Sequence, residues 1–266
     1  MRCSNGSTRF SSPSQGVPAV ERALKLLELS AASTVGFTLS EVSQVLGIAK
    51  SSSHRLIYTL LSHGYLQRTR SDRRYSLGTR ARDLASITEA DLQLGAVCSK
   101  SAEDLSKRVG LTVLTGIRRG SEGVVIFKAN SPKDEYPGAW IGHHFDLHCT
   151  AMGKALIAHA ADAELKELFE RASFAPYTRF TLCSRRDLMA DLAEVRARGF
   201  SLNTEESAIG GRGLAAPIFN HVGRVVASIC VRGSTGLFPP SRVSSCAKEV
   251  IQVATNISRD LLEAVP

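Results

Sequence analysis

The chain has 266 residues, 43% apolar and 22% charged, a composition of ordinary globular proteins that excludes a disordered tail and a small disulfide-stapled domain. No apolar run approaches the roughly 18 to 20 residues that cross a bilayer, and the opening MRCSNGSTRFSSPSQG holds no apolar stretch of the signal-peptide kind, so a cytoplasmic protein without membrane contact is expected. The net charge of +8 favours polyanionic partners, and its distribution sharpens the point: residues 50–82 carry Lys50, Arg55, Arg68, Arg70, Arg73, Arg74, Arg80 and Arg82 against one acid, Asp72.

Residues 1–15 are rich in Ser, Asn, Gly and Pro and poor in large apolar groups, which predicts a disordered arm. Pro18, followed by Val20, Ala23, Leu24 and Leu27 at helical spacing, predicts a first helix over 18–30. Thr38 with Glu41 three residues on is a capping box that opens a short second helix, ended by Gly47. After a tight turn, Leu56, Ile57, Leu60 and Leu61 mark the buried stripe of a third helix over 50–62. Helix, tight turn and helix make a helix-turn-helix, and the alternating runs 65–69 and 73–77 around a basic tip add a β-hairpin, giving a winged helix over 16–78.

A linker helix is expected over 79–94, with Leu84, Ile87 and Leu94 forming an apolar seam interrupted by Asp91. From residue 95 to 266 helices alternate with strands, as in a mixed α/β domain. Helices are expected over 96–109, 151–160, 163–172, 186–198 and 242–262, and strands over 111–117, 123–129, 214–219 and 224–231.

On the third helix Ser51, Arg55, Tyr58 and Ser62 share the face opposite the apolar stripe, a face suited to a major groove. The hydroxyls of Ser51, Ser52 and Ser53 allow close approach and donate to phosphates and base edges, and Arg55 reaches a guanine. With Lys50 and His54 beside them, and Arg68, Arg70, Arg73 and Arg74 on the hairpin, these residues form the candidate contact set for double-stranded DNA.

The run TLSEVSQVLGIAKSSSHRLIYTLLSHGYLQR, followed by RRYSLGTR, resembles the winged helix of the IclR family of bacterial transcription regulators. LHCTAMGKALIA, EVRARGFSLNTEES and GRGLAAPIF resemble that family's C-terminal domain. The resemblance implies an α+β multidomain chain with a GAF-like α/β effector-binding domain, a dimer or dimer of dimers, and repression of a small catabolic operon. It further implies a pocket for a small organic acid or semialdehyde, lined by Phe145, Ala151, Met152, Asn203, Gly213, Cys230 and Arg232. The amide N–H groups of Ala151 and Met152, at a helix start, suit an anion. Gly213 stands where many relatives carry cysteine and Arg232 where a small hydroxyl is common, so pocket size and charge differ from the usual pattern. Arg232 has two orientations open to it, inward onto the pocket or outward into solvent.

Enzymatic readings are weaker. His143, His144, His148 and Cys149 cluster, yet their spacing does not stack two imidazoles on a helix face as in HExxH, and no metal or cofactor is expected. Gly153 and Lys154 lack the earlier glycine and the Ser/Thr of a P-loop. A thiol-dependent hydrolase built on Cys149, carrying a DNA-binding appendage, stays open as the alternative.

Overall fold

The computed structural model describes residues 16–33, 35–69, 74–131, 138–171 and 174–263. The expected arm over 1–15 and the hairpin tip with Arg70 and Arg73 lie outside the described residues. The chain divides into two compact units, Met1–Arg82 and Asp83–Pro266.

In the N-terminal unit, α1 (Pro18–Ala32), α2 (Leu39–Leu46) and α3 (Lys50–Ser62) surround a core of Leu26, Val42, Ile57 and Leu66. The capping box forms: Thr38 N–H donates to Glu41 Oε2 at 2.7 Å, and Glu41 N–H to Thr38 Oγ1 at 3.3 Å. Gly47 ends α2 at φ +62°, a left-handed turn that costs glycine no Cβ clash. The wing is shorter than expected, with β1 (Leu66–Arg68) pairing antiparallel with β2 (Tyr75–Leu77) and Arg68 opposite Tyr75. Tyr75 also bridges Phe37 through paired backbone hydrogen bonds of 2.7 and 2.8 Å, which fixes the wing to the start of the helix-turn-helix.

The single linker helix expected over 79–94 is in fact two. The first, α4 (Thr79–Ser86), stops before Ile87, and α5 runs unbroken over Glu89–Val109, absorbing the helix expected over 96–109. The break is chemical: Thr88 and Asp91 form a second capping box, with Thr88 N–H donating to Asp91 Oδ2 at 2.8 Å. The Arg119 guanidinium also pairs with Asp91. Asp91 therefore caps the start of a helix, where the sequence reading had it interrupting the apolar seam of a continuous one. Burial opposes its charge, but Thr88 and Arg119 outweigh that and hold its carboxyl below the usual range.

The C-terminal unit is built on one antiparallel sheet in the order β5-β4-β3-β8-β7-β6, so its class is α+β. Its strands are β3 (Thr112–Arg119), β4 (Glu122–Ala129), β5 (His144–Asp146), β6 (Ser201–Thr204), β7 (Gly211–Phe219) and β8 (Val225–Ser234). Alternation sorts side chains to two faces. Val113, Leu214, Ala216, Ile229 and Val231 pack under α5 and α9 (Val243–Glu263), while Leu114, Val125, Ala215 and Cys230 face α6 (Ala151–Ile157), α7 (Asp162–Arg171) and α8 (Arg185–Arg198). The two short edge strands, β5 and β6, were not expected from the sequence.

Candidate functional site

On α3 the side chains of Lys50, Ser51, Ser52, His54, Arg55 and Tyr58 are exposed, Tyr58 at 66%. Ser53 departs from the expected set. It is 0% exposed and its hydroxyl donates to Ala49 O at 3.3 Å, because it stands four residues before Ile57 on the buried stripe. Arg68 is exposed on the wing. Arg74 is engaged elsewhere: its guanidinium donates to Gly36 O at 3.0 Å and to Glu41 Oε2 at 3.2 Å, tying the wing to α2. It therefore has a structural role in the wing beside the phosphate contact expected of it.

In the C-terminal unit, Phe145, Ala151, Met152, Asn203, Gly213, Cys230 and Arg232 all lie on the wall of one cavity of about 320 Å³. Leu114, Val125, His143, Asp146, Cys149, Tyr177 and Ser207 complete much of that wall. Phe145 is seated by glycine: a Cβ at Gly123 would stand 2.1 Å from its ring, so only a bare backbone lets the ring lie flat on β4. Arg232 follows Cys230 by two residues and shares its face of β8. It is half-buried and contributes to the cavity wall.

The polar wall is tightly organised. Asn203 Nδ2 donates to Cys149 O at 2.8 Å and to Ser207 Oγ at 3.0 Å, and its Oδ1 accepts from Glu206 N–H at 2.9 Å. Glu206 in turn meets Lys154, whose Nζ donates to Glu206 Oε1 and Leu202 O at 2.8 Å each and lies 3.0 Å from Asp191 Oδ2. Lys154 is 1% exposed, so the GK pair that evokes a P-loop holds an internal ion network rather than a phosphate. Burial raises the Glu206 carboxyl above its ordinary value against the pull of Lys154. A segment over 174–183 crosses the rim: Tyr177 O–H donates to Asp146 Oδ2 at 2.6 Å, and the Thr178 and Thr181 hydroxyls donate to Glu205 O and Glu206 O at 2.7 and 2.6 Å. Sequence reasoning missed Lys154, Glu206, Asp146 and Tyr177, since each acts through a partner far along the chain.

The enzymatic constellations dissolve in the geometry. Cys149 is 1% exposed, and burial, with Asp146 and Glu206 adding, pushes its thiol up to about 12, so a thiolate nucleophile has no support. The histidines go separate ways: His143 meets the edge of Trp140, His144 Nδ1 lies 2.9 Å from Glu122 Oε2, and His148 Nε2 lies 3.2 Å from Ala175 O. Among the described residues no group of three or more His, Cys, Asp or Glu is placed to hold a metal ion.

A helix-turn-helix with a wing, followed by an α+β unit that encloses a small-molecule-sized cavity, defines a DNA-binding regulator with a sensing domain. Residues 19–70 match the IclR helix-turn-helix domain and residues 87–259 the bacterial transcriptional regulator IclR C-terminal domain, and the chain belongs to the IclR family. It is 31% identical over 245 residues to the HTH-type transcriptional regulator XynR of Escherichia coli K12, covering 92% of this chain and 97% of that protein. It is 30% identical over 244 residues to the transcriptional repressor IclR of the same organism, covering 91% and 89%. The solved structure of the Thermotoga maritima IclR matches with a TM-score of 0.66 at 26% identity, covering 91% of this chain and 98% of that one.

Proposed function

We propose that the protein is a transcriptional repressor of a small catabolic operon whose grip on its operator changes when a small organic acid or semialdehyde occupies the C-terminal cavity. It works without turnover and in the cytoplasm, where the DNA is. A homodimer or dimer of dimers presents two copies of α3 to half-sites roughly 34 to 36 Å apart, or a multiple of that. The contact set on each copy is Lys50, Ser51, Ser52, His54, Arg55 and Tyr58, with Arg68, Arg70 and Arg73 contributing from the wing.

The observation that carries the effector reading is Arg232 on the wall of a cavity whose apolar part is formed by Leu114, Val125, Phe145, Met152 and Cys230. A guanidinium stays charged at all working pH values and offers a planar fork of donors that matches a carboxylate. Apolar walls around it favour a compact organic acid over an inorganic anion. The test is a thermal-shift screen of small carboxylates and semialdehydes beside the matching neutral amides, since a ligand that binds the folded state raises its apparent stability. A carboxylate should raise the midpoint, its amide should not, and the compound should be recovered chemically unchanged. Equal responses to acid and amide would remove Arg232 as the recognition element, and consumption of the compound would restore the enzyme reading.

A further inference from the structure

The cavity wall carries a carboxylate as well as the Arg232 guanidinium. Asp146, at the end of β5, and Tyr177, from the segment over 174–183, both stand on that wall. The Tyr177 O–H is given to Asp146 Oδ2 at 2.6 Å, while Asp146 Oδ1 takes no hydrogen bond among the described residues. That bond, with partial burial adding, pushes the phenol up to about 12, so its proton stays in place at every working pH. The pair is held firmly. The Tyr177 ring stacks on His148, with centroids 6.3 Å and planes 28° apart, and the N–H groups of Tyr177 and Thr178 donate to Thr181 Oγ1 at 3.1 and 2.9 Å. The Thr178 hydroxyl donates to O of Glu205, the one described non-glycine residue with a positive φ, +61°. Glu205 is kept there by Gly210 N–H, which donates to its Oε1 at 2.7 Å, and by its own N–H, which donates to Gly211 O at 2.8 Å. Backbone strain of this kind persists where its surroundings over-determine it, and ligand clamps are among the places where it collects. Arg232 lies beside the same loop, since a Cβ on Gly211 would stand 3.3 Å from its Nη2.

We propose that Asp146, positioned by Tyr177, selects carboxylates that carry a hydroxyl, so that the cavity takes a hydroxy acid rather than a keto acid or an aldehyde acid. This narrows the effector reading above and rests on it. The carboxylate of the ligand goes to Arg232, because Asp146 repels it. A hydroxyl elsewhere on the ligand donates to the open Oδ1 of Asp146. A carbonyl oxygen brings only lone pairs to that carboxylate, and Tyr177 has a proton for it only by releasing Asp146. The carbonyl therefore loses water on entry and gains no partner, and a polar group left unpaired costs more than a made hydrogen bond returns. An ammonium satisfies Oδ1 with one of its three donors, but as a full charge it gives up more hydration than a hydroxyl does.

The experiment is calorimetry on the full chain with matched sets of short-chain acids. Each set carries a hydroxyl, a carbonyl, an ammonium or only hydrogen at the same carbon, with lactate, pyruvate, alanine and propionate as the smallest set. In the best-binding set the hydroxy member should bind roughly tenfold or more tightly than the other three, the margin of one hydrogen bond to a charged group. Asp146→Asn should bring the carbonyl member level with the hydroxy member or above it, because the amide puts an N–H donor where Oδ1 stood. Tyr177→Phe keeps the ring on His148 but no longer holds Asp146. It should cut the ratio of hydroxy to unsubstituted acid by about threefold or more while the unsubstituted acid binds as before, a split that mere loosening of the fold would not produce. Should Asp146→Asn fail to fold, Tyr177→Phe decides. The proposal is overturned if the wild type binds the carbonyl member as tightly or the ammonium member more tightly, or if the preference for hydroxyl is the same in the variants. Binding without discrimination removes the hydroxy-acid assignment alone, whereas a screen in which no acid binds removes the effector reading and this assignment with it.

Discussion

Lys154 Nζ and Glu206 Oε1 meet at 2.8 Å with side chains only 1% and 10% exposed, and this one contact joins α6 to the loop that follows β6. Because Glu206 N–H also holds Asn203, and Glu206 O accepts from Thr181, the pair fixes the polar side of the cavity as well as the core beneath it. Removing the cation leaves the buried Glu206 carboxylate without its partner, beside the half-buried Asp191. Lys154→Met should destabilise the protein by about 3 to 5 kcal/mol, read by chemical denaturation. Glu206 already binds its proton more tightly in the folded state than when unfolded, so the deficit should shrink as pH falls and Glu206 protonates. A loss that is small and flat with pH would show that the network is dispensable.

For DNA, the exposed and buried members of α3 should separate cleanly. Arg55→Ala should cost about 1 to 3 kcal/mol on the specific site and little on random duplex. Ser53→Ala, by contrast, should leave both affinities unchanged. Competition binding with specific and random duplexes decides, and an affinity loss in Ser53→Ala would mean that α3 rearranges on DNA.

The cavity prediction concerns Arg232→Ser. A hydrogen bond to a charged group is worth about 1.5 to 3 kcal/mol, so calorimetry should show that much lost for a carboxylate found in the thermal-shift screen. Operator affinity in the absence of that carboxylate should stay near wild type. Unchanged calorimetric affinity would show that Arg232 is not the group that holds the carboxylate.

At the start of α5, Thr88→Ala should cost about 1 kcal/mol, the usual value for losing an N-cap. The Asp91 carboxyl is held below its ordinary value, so its contribution is fully present above the unfolded-state value and fades as pH drops through the lower folded one. An acid denaturation series should therefore find wild type and Asp91→Asn converging at low pH. Parallel curves across the whole acid range would deny Asp91 this role.

Much of the fold was legible because it rests on local signals. The Thr38 capping box, Gly47 and the short apolar runs of β3, β4, β7 and β8 each act within a few residues, and each appears close to where the pattern placed it. Thr88 and Asp91 carry the same local signal as Thr38 and Glu41. It was overlooked because Asp91 was weighed against an apolar seam rather than against the residue three before it. Strands β5 and β6 offer three and four residues, too few for a period to emerge. In the site, Ser53 was recoverable from helical arithmetic alone, whereas Arg74 was not, since its partner Glu41 lies 33 positions away. The cavity lining came from family resemblance, and no spacing in the chain announces that Lys154 will meet a carboxylate 52 residues on.

Glu41 Oε2 accepts from both Thr38 N–H and Arg74, so a single oxygen starts α2 and anchors the wing. The two halves of that arrangement are unequal. A descendant chain that changes Arg74 keeps its α2 cap and loses only an anchor, while one that changes Glu41 loses both at once. Drift at these positions should therefore run in one order, Arg74 first and Glu41 afterwards, and α2 and the wing should be inherited as one instrument rather than as two parts tuned apart.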